Sequence, residues 1–153
     1  MDSVCARREG YPGVCLFYEL TGPSLLERIS SMTHWTTAVY KANGIDIHYL
    51  RTGEARPPLV LLHGLTGSGA CWSPLARALE SEFDVVMPDA RGHGYSSTPL
   101  SDYRYEDHAR DVIGLIQGLG LAAPILLGHS MGGMTAAVVL ENPSPMFSLL
   151  TGT

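Results

Sequence analysis

Apolar residues recur along this chain with two different periods. Ala38 and Tyr40 on one side of Asn43-Gly44, and Ile45, Ile47 and Tyr49 on the other, follow the two-residue period of strands with one buried face. Asn-Gly tolerates the positive φ of a tight turn, so this stretch predicts a β-hairpin. Pro58 to Leu62, Phe83 to Met87 and Pro124 to Leu127 are instead short continuous apolar runs. Such runs belong to strands buried on both faces, and therefore to a parallel sheet covered by helices.

Between and after these runs the period becomes helical. Trp72, Leu75, Ala76 and Leu79 form one stripe, with Ser73 placed to cap it and Pro74 at the first helical position. Ala109, Val112, Ile113 and Ile116 form a second, and Gly120 stands where that helix should end. Met131 to Leu140 reads as a third helix, stopped by Asn142-Pro143. The order strand, helix, strand, helix, strand, helix selects a three-layer α/β fold with right-handed crossovers and an antiparallel hairpin at one edge. No internal repeat interrupts it. Residues 1–31 mix Gly, Pro and Ser without either period, so they are expected to be an irregular extension preceding a domain over 32–153, with Met32 an alternative start.

Composition narrows the function classes. A chain of 153 residues with 45% hydrophobic and 16% charged positions has the make-up of a globular domain. Its net charge of −5 and the lack of a basic run argue against a nucleic-acid partner. Val14 to Tyr18 is too short for the apolar core of a signal peptide or for a membrane span, and nothing after Arg7-Arg8 resembles an export signal. Cys5, Cys15 and Cys71 lack metal or redox spacing. The expectation is a cytoplasmic protein with no metal, no cofactor and no membrane partner.

Chemistry enters at Gly128-His129-Ser130-Met131-Gly132. A bare G-x-S-x-G is a weak signal, but this one falls between a buried strand and a helix. A nucleophile elbow needs a turn there so sharp that its neighbours cannot carry side chains, which Gly128 and Gly132 provide. Ser130 would then project its Oγ above the sheet. The helix beginning at Met131 would turn free N–H groups and a positive dipole end towards an oxyanion formed beside the serine.

With two further loops these residues resemble the α/β-hydrolase superfamily. Leu61-Leu62-His63-Gly64-Leu65 looks like the family's His-Gly loop, Asp89-Ala90-Arg91-Gly92-His93-Gly94-Tyr95-Ser96 like the loop after its fourth strand, and Gly128 to Gly133 like its elbow. Each follows its own buried strand, and the resemblance spans about Trp35 to Leu140. It implies an α/β-hydrolase fold with a mostly parallel sheet, cut short after the elbow helix or a sixth strand. It also implies Ser130 as nucleophile and the backbone N–H groups of Leu65 and Met131 as oxyanion donors. His63, Gly64, Gly128, His129, Gly132 and Gly133 would support the two loops. Serine rather than aspartate at 130 sets the chain apart from the family's epoxide hydrolases and haloalkane dehalogenases, whose nucleophile is a carboxylate, and favours acyl transfer.

In this family the acid and the histidine follow the serine. Here only Glu141 follows it as an acid, and all six histidines, His34, His48, His63, His93, His108 and His129, precede it. None inherits the base role; His34, His48 and His108 are expected to be solvated or at the core edge, and Asp89 to be a turn acceptor. The expectation is a weakly active or inactive form of a hydrolase of small esters, thioesters or lactones. Carbon–carbon bond hydrolysis, cofactor-free peroxidation or a non-catalytic binding role are its alternatives. The strand at Ile125 to Leu127 is expected at an unpaired sheet edge open to self-association.

Overall fold

The computed structural model describes residues 35–53 and 55–141. The expected boundary at Met32, His34, and the apolar stretch after Pro145 lie outside the described residues.

Strands β1 (Thr36–Ala42) and β2 (Ile45–Arg51) form the hairpin. Asn43 and Gly44 have φ of 48° and 81°, the pair of positive values a two-residue turn requires. Strands β3 (Pro58–Leu62), β4 (Asp84–Pro88) and β5 (Ile125–Gly128) follow, each within a residue of its apolar run. A short 3₁₀ turn, Gly69–Trp72, leads into helix α1 (Ser73–Leu79). Helices α2 (Tyr105–Gly118) and α3 (Met131–Glu141) complete the series.

One local expectation fails. Ser73 does not cap α1; Trp72 occupies that position and the Ser73 hydroxyl donates to the Ala70 carbonyl at 2.7 Å. The 3₁₀ turn already carries the backbone into helical geometry, which moves the helix start back and places Pro74 at its second position, still within the turn that lacks acceptors. The other end signal holds. Gly120, at φ 64°, closes α2 with its N–H on the Gln117 carbonyl while the Leu121 N–H reaches Ile116, the pairing of a Schellman motif.

The sheet order is β1-β2-β4-β3-β5. β3 is parallel to both β4 and β5, while β2 is antiparallel to β1 and β4. The sheet is therefore mixed, its parallel part confined to the three strands that precede the motif loops. Two apolar layers flank it, as the doubly buried runs require. Ile47, Val60, Leu62 and Val86 meet Ala109, Val112, Leu115 and Ile116 of α2 and Val139 of α3 on one face. Leu59, Leu61, Val85 and Met87 meet Ala76 of α1 on the other. Among the described residues β5 pairs only with β3, leaving Ile125 and Leu127 exposed at the sheet edge, so the third run is not buried on both faces as expected.

Buried charges tie the layers together in pairs. Arg51 of β2 grips Asp84 of β4 through both carboxylate oxygens. Arg91, in the loop after β4, grips Asp111 of α2 in the same two-point fashion at 2.6 Å, and both side chains are almost fully buried. Asn43 at the hairpin tip donates to the same Asp111 carboxylate at 2.9 Å, and Arg91 also reaches the Asp102 carbonyl. One ion pair thus joins the hairpin, the motif loop and α2. Asp111 holds the Arg91 guanidinium more firmly protonated than an ordinary arginine.

Removing one member of a buried pair strands the other charge, whereas removing both does not. Asp111→Asn is expected to lower stability in urea by about 3–5 kcal/mol, and Arg91→Met/Asp111→Leu by less than that single change. A loss below about 1 kcal/mol for Asp111→Asn would mean that the pair does not brace the fold.

Candidate active site

The elbow is built from backbone contacts that exclude side chains. Ser130, between β5 and α3, has φ 52°, a left-handed conformation uncommon for any residue but glycine or asparagine. A Cβ at Gly128 would lie 2.3 Å from the Gly132 carbonyl oxygen, and one at Gly132 would lie 2.1 Å from the Leu62 carbonyl oxygen. Both positions must therefore be glycine. The first turn of α3 rests directly on the end of β3, and the His129 N–H donates to the Leu62 carbonyl at 3.0 Å. Gly133 is different: a Cβ there would meet nothing closer than 3.4 Å.

The His-Gly loop lies against this turn. A Cβ at Gly64 would stand 2.8 Å from Nδ1 of His129, so the absence of a side chain lets the two segments touch. The Gly67 N–H closes the loop on the Gly64 carbonyl at 3.0 Å. Neither the Leu65 N–H nor the Met131 N–H donates to a carbonyl among the described residues. The Met131 N–H belongs to the first turn of an 11-residue helix, where amides lack intrahelical acceptors and the dipole end is positive. The arrangement can bind an anion or a developing negative charge beside an exposed serine.

The loop after β4 braces the His-Gly loop from the other side. Asp89 accepts the Gly69 N–H at 2.7 Å and the Tyr95 N–H at 2.9 Å, a turn acceptor as its position suggests. It also takes Nδ1 of His48 at 2.8 Å. A side chain at Gly94, where φ is 52°, would collide with that carboxylate.

The histidines are placed as follows. His63 is buried, with Nδ1 donating to the Gly64 carbonyl at 2.8 Å and Nε2 accepting the Ala90 N–H at 2.9 Å. One neutral tautomer satisfies both bonds, and burial pushes its pKa below the usual histidine range. The ring of His93 stands with Nε2 2.7 Å from the Leu65 carbonyl oxygen and Nδ1 2.9 Å from that of Arg91. His129 is exposed beside Gly64. His48 and His108, expected to be solvated or at the core edge, are buried. His48 is buried on β2 because Asp89 receives its ring, and His108 because it falls on the inner stripe of α2. The His48–Asp89 pair has the form of an oriented base, but β4 and β3 separate β2 from β5. Three strand spacings, about 14 Å, put that pair out of reach of the elbow.

Sequence reasoning missed Arg91 and Asp111 as a unit. A signal was present. His108, Asp111, Val112 and Leu115 share one helical face, so a carboxylate at 111 on an apolar stripe demands a buried cation.

Comparison with known proteins supports the fold. The family model described as alpha/beta hydrolase fold matches residues 57–149. Serine hydrolase BPHL of Mus musculus is 37% identical over 108 residues, covering 67% of this chain and 37% of that protein. N-formylmaleamate deformylase of Pseudomonas putida is 42% identical over 105 residues, covering 68% and 39%. Among solved structures, the epoxide hydrolase CorEH without ligand superposes with a TM-score of 0.68 at 34% identity, covering 71% of this chain and 38% of that one. The chain spans less than two-fifths of the length of these relatives.

The two depressed histidines predict a pH dependence of stability. Burial is the main cause at His63 and at His108, with the Arg91 charge adding to it at His108. As pH falls through about 6.5 the unfolded chain binds protons at these positions before the native chain does, so stability must fall with falling pH. Each histidine contributes a slope of up to about 1.4 kcal/mol per pH unit between its unfolded and folded pKa. Urea titrations at pH 7.5, 6.5 and 5.5 are expected to show this decline, reduced in His108→Gln; a flat profile would contradict the burial of both rings.

Proposed function

The chain belongs to the alpha/beta hydrolase fold family, and on that premise we propose that it carries the nucleophile and oxyanion side of a serine hydrolase acting on esters, thioesters or lactones through an acyl-enzyme at Ser130. The observation that carries the reading is Ser130 itself. It is held at φ 52° at the start of α3, where the Met131 N–H donates to no carbonyl among the described residues.

In the proposed reaction the Ser130 Oγ attacks the acyl carbon and gives its proton to a base. The carbonyl oxygen becomes an oxyanion that accepts the Leu65 and Met131 N–H groups, and the carbon–heteroatom bond to the leaving group breaks as the intermediate collapses. Water then attacks the acyl-enzyme and regenerates the serine. His63 holds the loop in place through both ring nitrogens, His93 stands between the Leu65 and Arg91 carbonyl oxygens, and His48 is committed to Asp89. The base and its orienting acid, which follow the serine in this fold, are assigned to residues outside the described ones.

The relatives' names include an epoxide hydrolase, and the chemistry of the nucleophile argues against that activity here. A serine that opened an epoxide would form an ether, which water does not cleave, whereas a carboxylate forms a hydrolysable ester. The serine hydrolase and deformylase relatives, whose names denote serine-dependent or acyl cleavage, fit the proposal better.

A fluorophosphonate probe tests the assignment without a substrate. It is expected to label Ser130 alone, and slowly, because the histidine and acid that activate the serine are assigned to residues outside the described ones. Labelling should vanish in Ser130→Ala. A folded sample that takes no label, or takes it evenly over several serines, would remove the assignment.

A further inference from the structure

Leu65 is a residue whose backbone its own side chain does little to hold. That side chain is 66% exposed, so packing leaves the Leu65 φ and ψ largely free. The peptide units on either side of its Cα are held from outside instead. The Gly64 carbonyl accepts Nδ1–H of His63 at 2.8 Å and the Gly67 N–H at 3.0 Å. A trans peptide points its N–H opposite to its carbonyl, so these bonds set the axis along which the Leu65 N–H is aimed. On the other side of the Cα, the Leu65 carbonyl oxygen lies 2.7 Å from Nε2 of His93.

His93 arrives there from the loop after β4, 28 positions along the chain. Positive φ at Gly92 and Gly94, 72° and 52°, folds that loop tightly around it. The His93 N–H donates to the Ala90 carbonyl at 2.9 Å, and its carbonyl accepts the Ser96 N–H at 3.0 Å. The ring stands edge-on to that of His63, with centroids 5.2 Å apart. A carbonyl oxygen only accepts, so the nitrogen facing it must carry the proton. Nδ1 faces a second carbonyl, that of Arg91, at 2.9 Å, and a neutral ring donates to one of the two. The shorter contact is the one to Leu65. The same loop takes the far end of the His-Gly segment as well, where Asp89 accepts the Gly69 N–H at 2.7 Å.

We infer that His93 is the positioning residue for the Leu65 oxyanion donor, acting through the Leu65 carbonyl and not on the substrate. This rests on the proposed role of the Leu65 N–H as an oxyanion donor. A peptide unit tied at one oxygen can still pivot about it, and a second tie beyond the Cα stops the pivot. His63 supplies the first and His93 the second. Held at both, the N–H keeps its direction while charge develops on the bound oxygen, and a donor fixed beforehand is the kind that accelerates acyl transfer.

His93→Gln and His93→Asn separate this role from a general structural one. The Gln amide nitrogen stands near the place of Nε2 and keeps a donor for Leu65, whereas that of Asn stands near the place of Nδ1 and reaches Arg91 only. His93 is half-buried, so both variants are expected to fold. Fluorophosphonate labelling of Ser130 is expected to proceed in His93→Gln close to the wild-type rate and in His93→Asn about tenfold or more slower, because small misplacements of positioned groups cost rate steeply. The backbone ¹⁵N order parameter of the Leu65 amide, a readout that needs no reaction, is expected to fall in His93→Asn alone. Equal labelling rates in the wild type and both variants, with an unchanged Leu65 amide, would overturn the inference and leave the oxyanion reading standing. A Leu65 amide loosened in His93→Asn without loss of rate would overturn both, since it removes Leu65 as a donor. Equal loss of rate in His93→Gln and His93→Asn would also overturn the inference, by showing that the donor at Nε2 is not what matters.

Discussion

The structure depends on one close approach of backbone to backbone, where the first turn of α3 sits on the carbonyl end of β3. Gly132 makes it possible, since a methyl group there would lie 2.1 Å from the Leu62 carbonyl oxygen. From this contact follow the sharpness of the turn, the positive φ of Ser130 and the direction in which the amides of α3 open. A parallel strand followed by a helix packed back onto its neighbour is an ordinary α/β unit. Pressing the helix onto the strand end until only hydrogen fits between them is what turns that unit into a site.

A second layer of contacts keeps the opposing loop in place. Asp89 gathers the Gly69 and Tyr95 amides and the His48 ring, while His63 binds the Gly64 carbonyl and the Ala90 amide across two loops. Arg91 and Asp111 then fasten this assembly to α2 and the hairpin tip. Polar groups buried this deeply are stabilising only when each is satisfied, so the network resists piecemeal change. His48 and His63 therefore act as structure, their ring nitrogens bonded to Asp89, the Gly64 carbonyl and the Ala90 amide.

Much of this was legible in the sequence because it rests on local rules. The hairpin at Asn43-Gly44, the doubly buried runs of β3 and β4 and the Gly120 stop each follow from a period or from a residue's backbone freedom, and the glycines around Ser130 announce the turn. What escaped depends on partners distant along the chain. The partner of His48 was not foreseen because the acid that receives its ring lies 41 positions away. The ion pair between Arg91 and Asp111 and the antiparallel joint between β2 and β4 are likewise products of tertiary packing. The start of α1 was misplaced because a 3₁₀ turn leaves no mark on an apolar period.

Contact at Gly132, rather than helix propensity or glycine content in general, creates the sharp turn that holds Ser130. Gly132→Ala and Gly133→Ala separate these, since both replace a helical glycine by the best helix former and only the first meets backbone. The measurement is the rate of fluorophosphonate labelling at Ser130 in the two variants, alongside their stability in urea. The account predicts that Gly132→Ala loses about 1–3 kcal/mol and most of its labelling, while Gly133→Ala labels like the wild type and is no less stable. Wild-type labelling and stability in Gly132→Ala would contradict it.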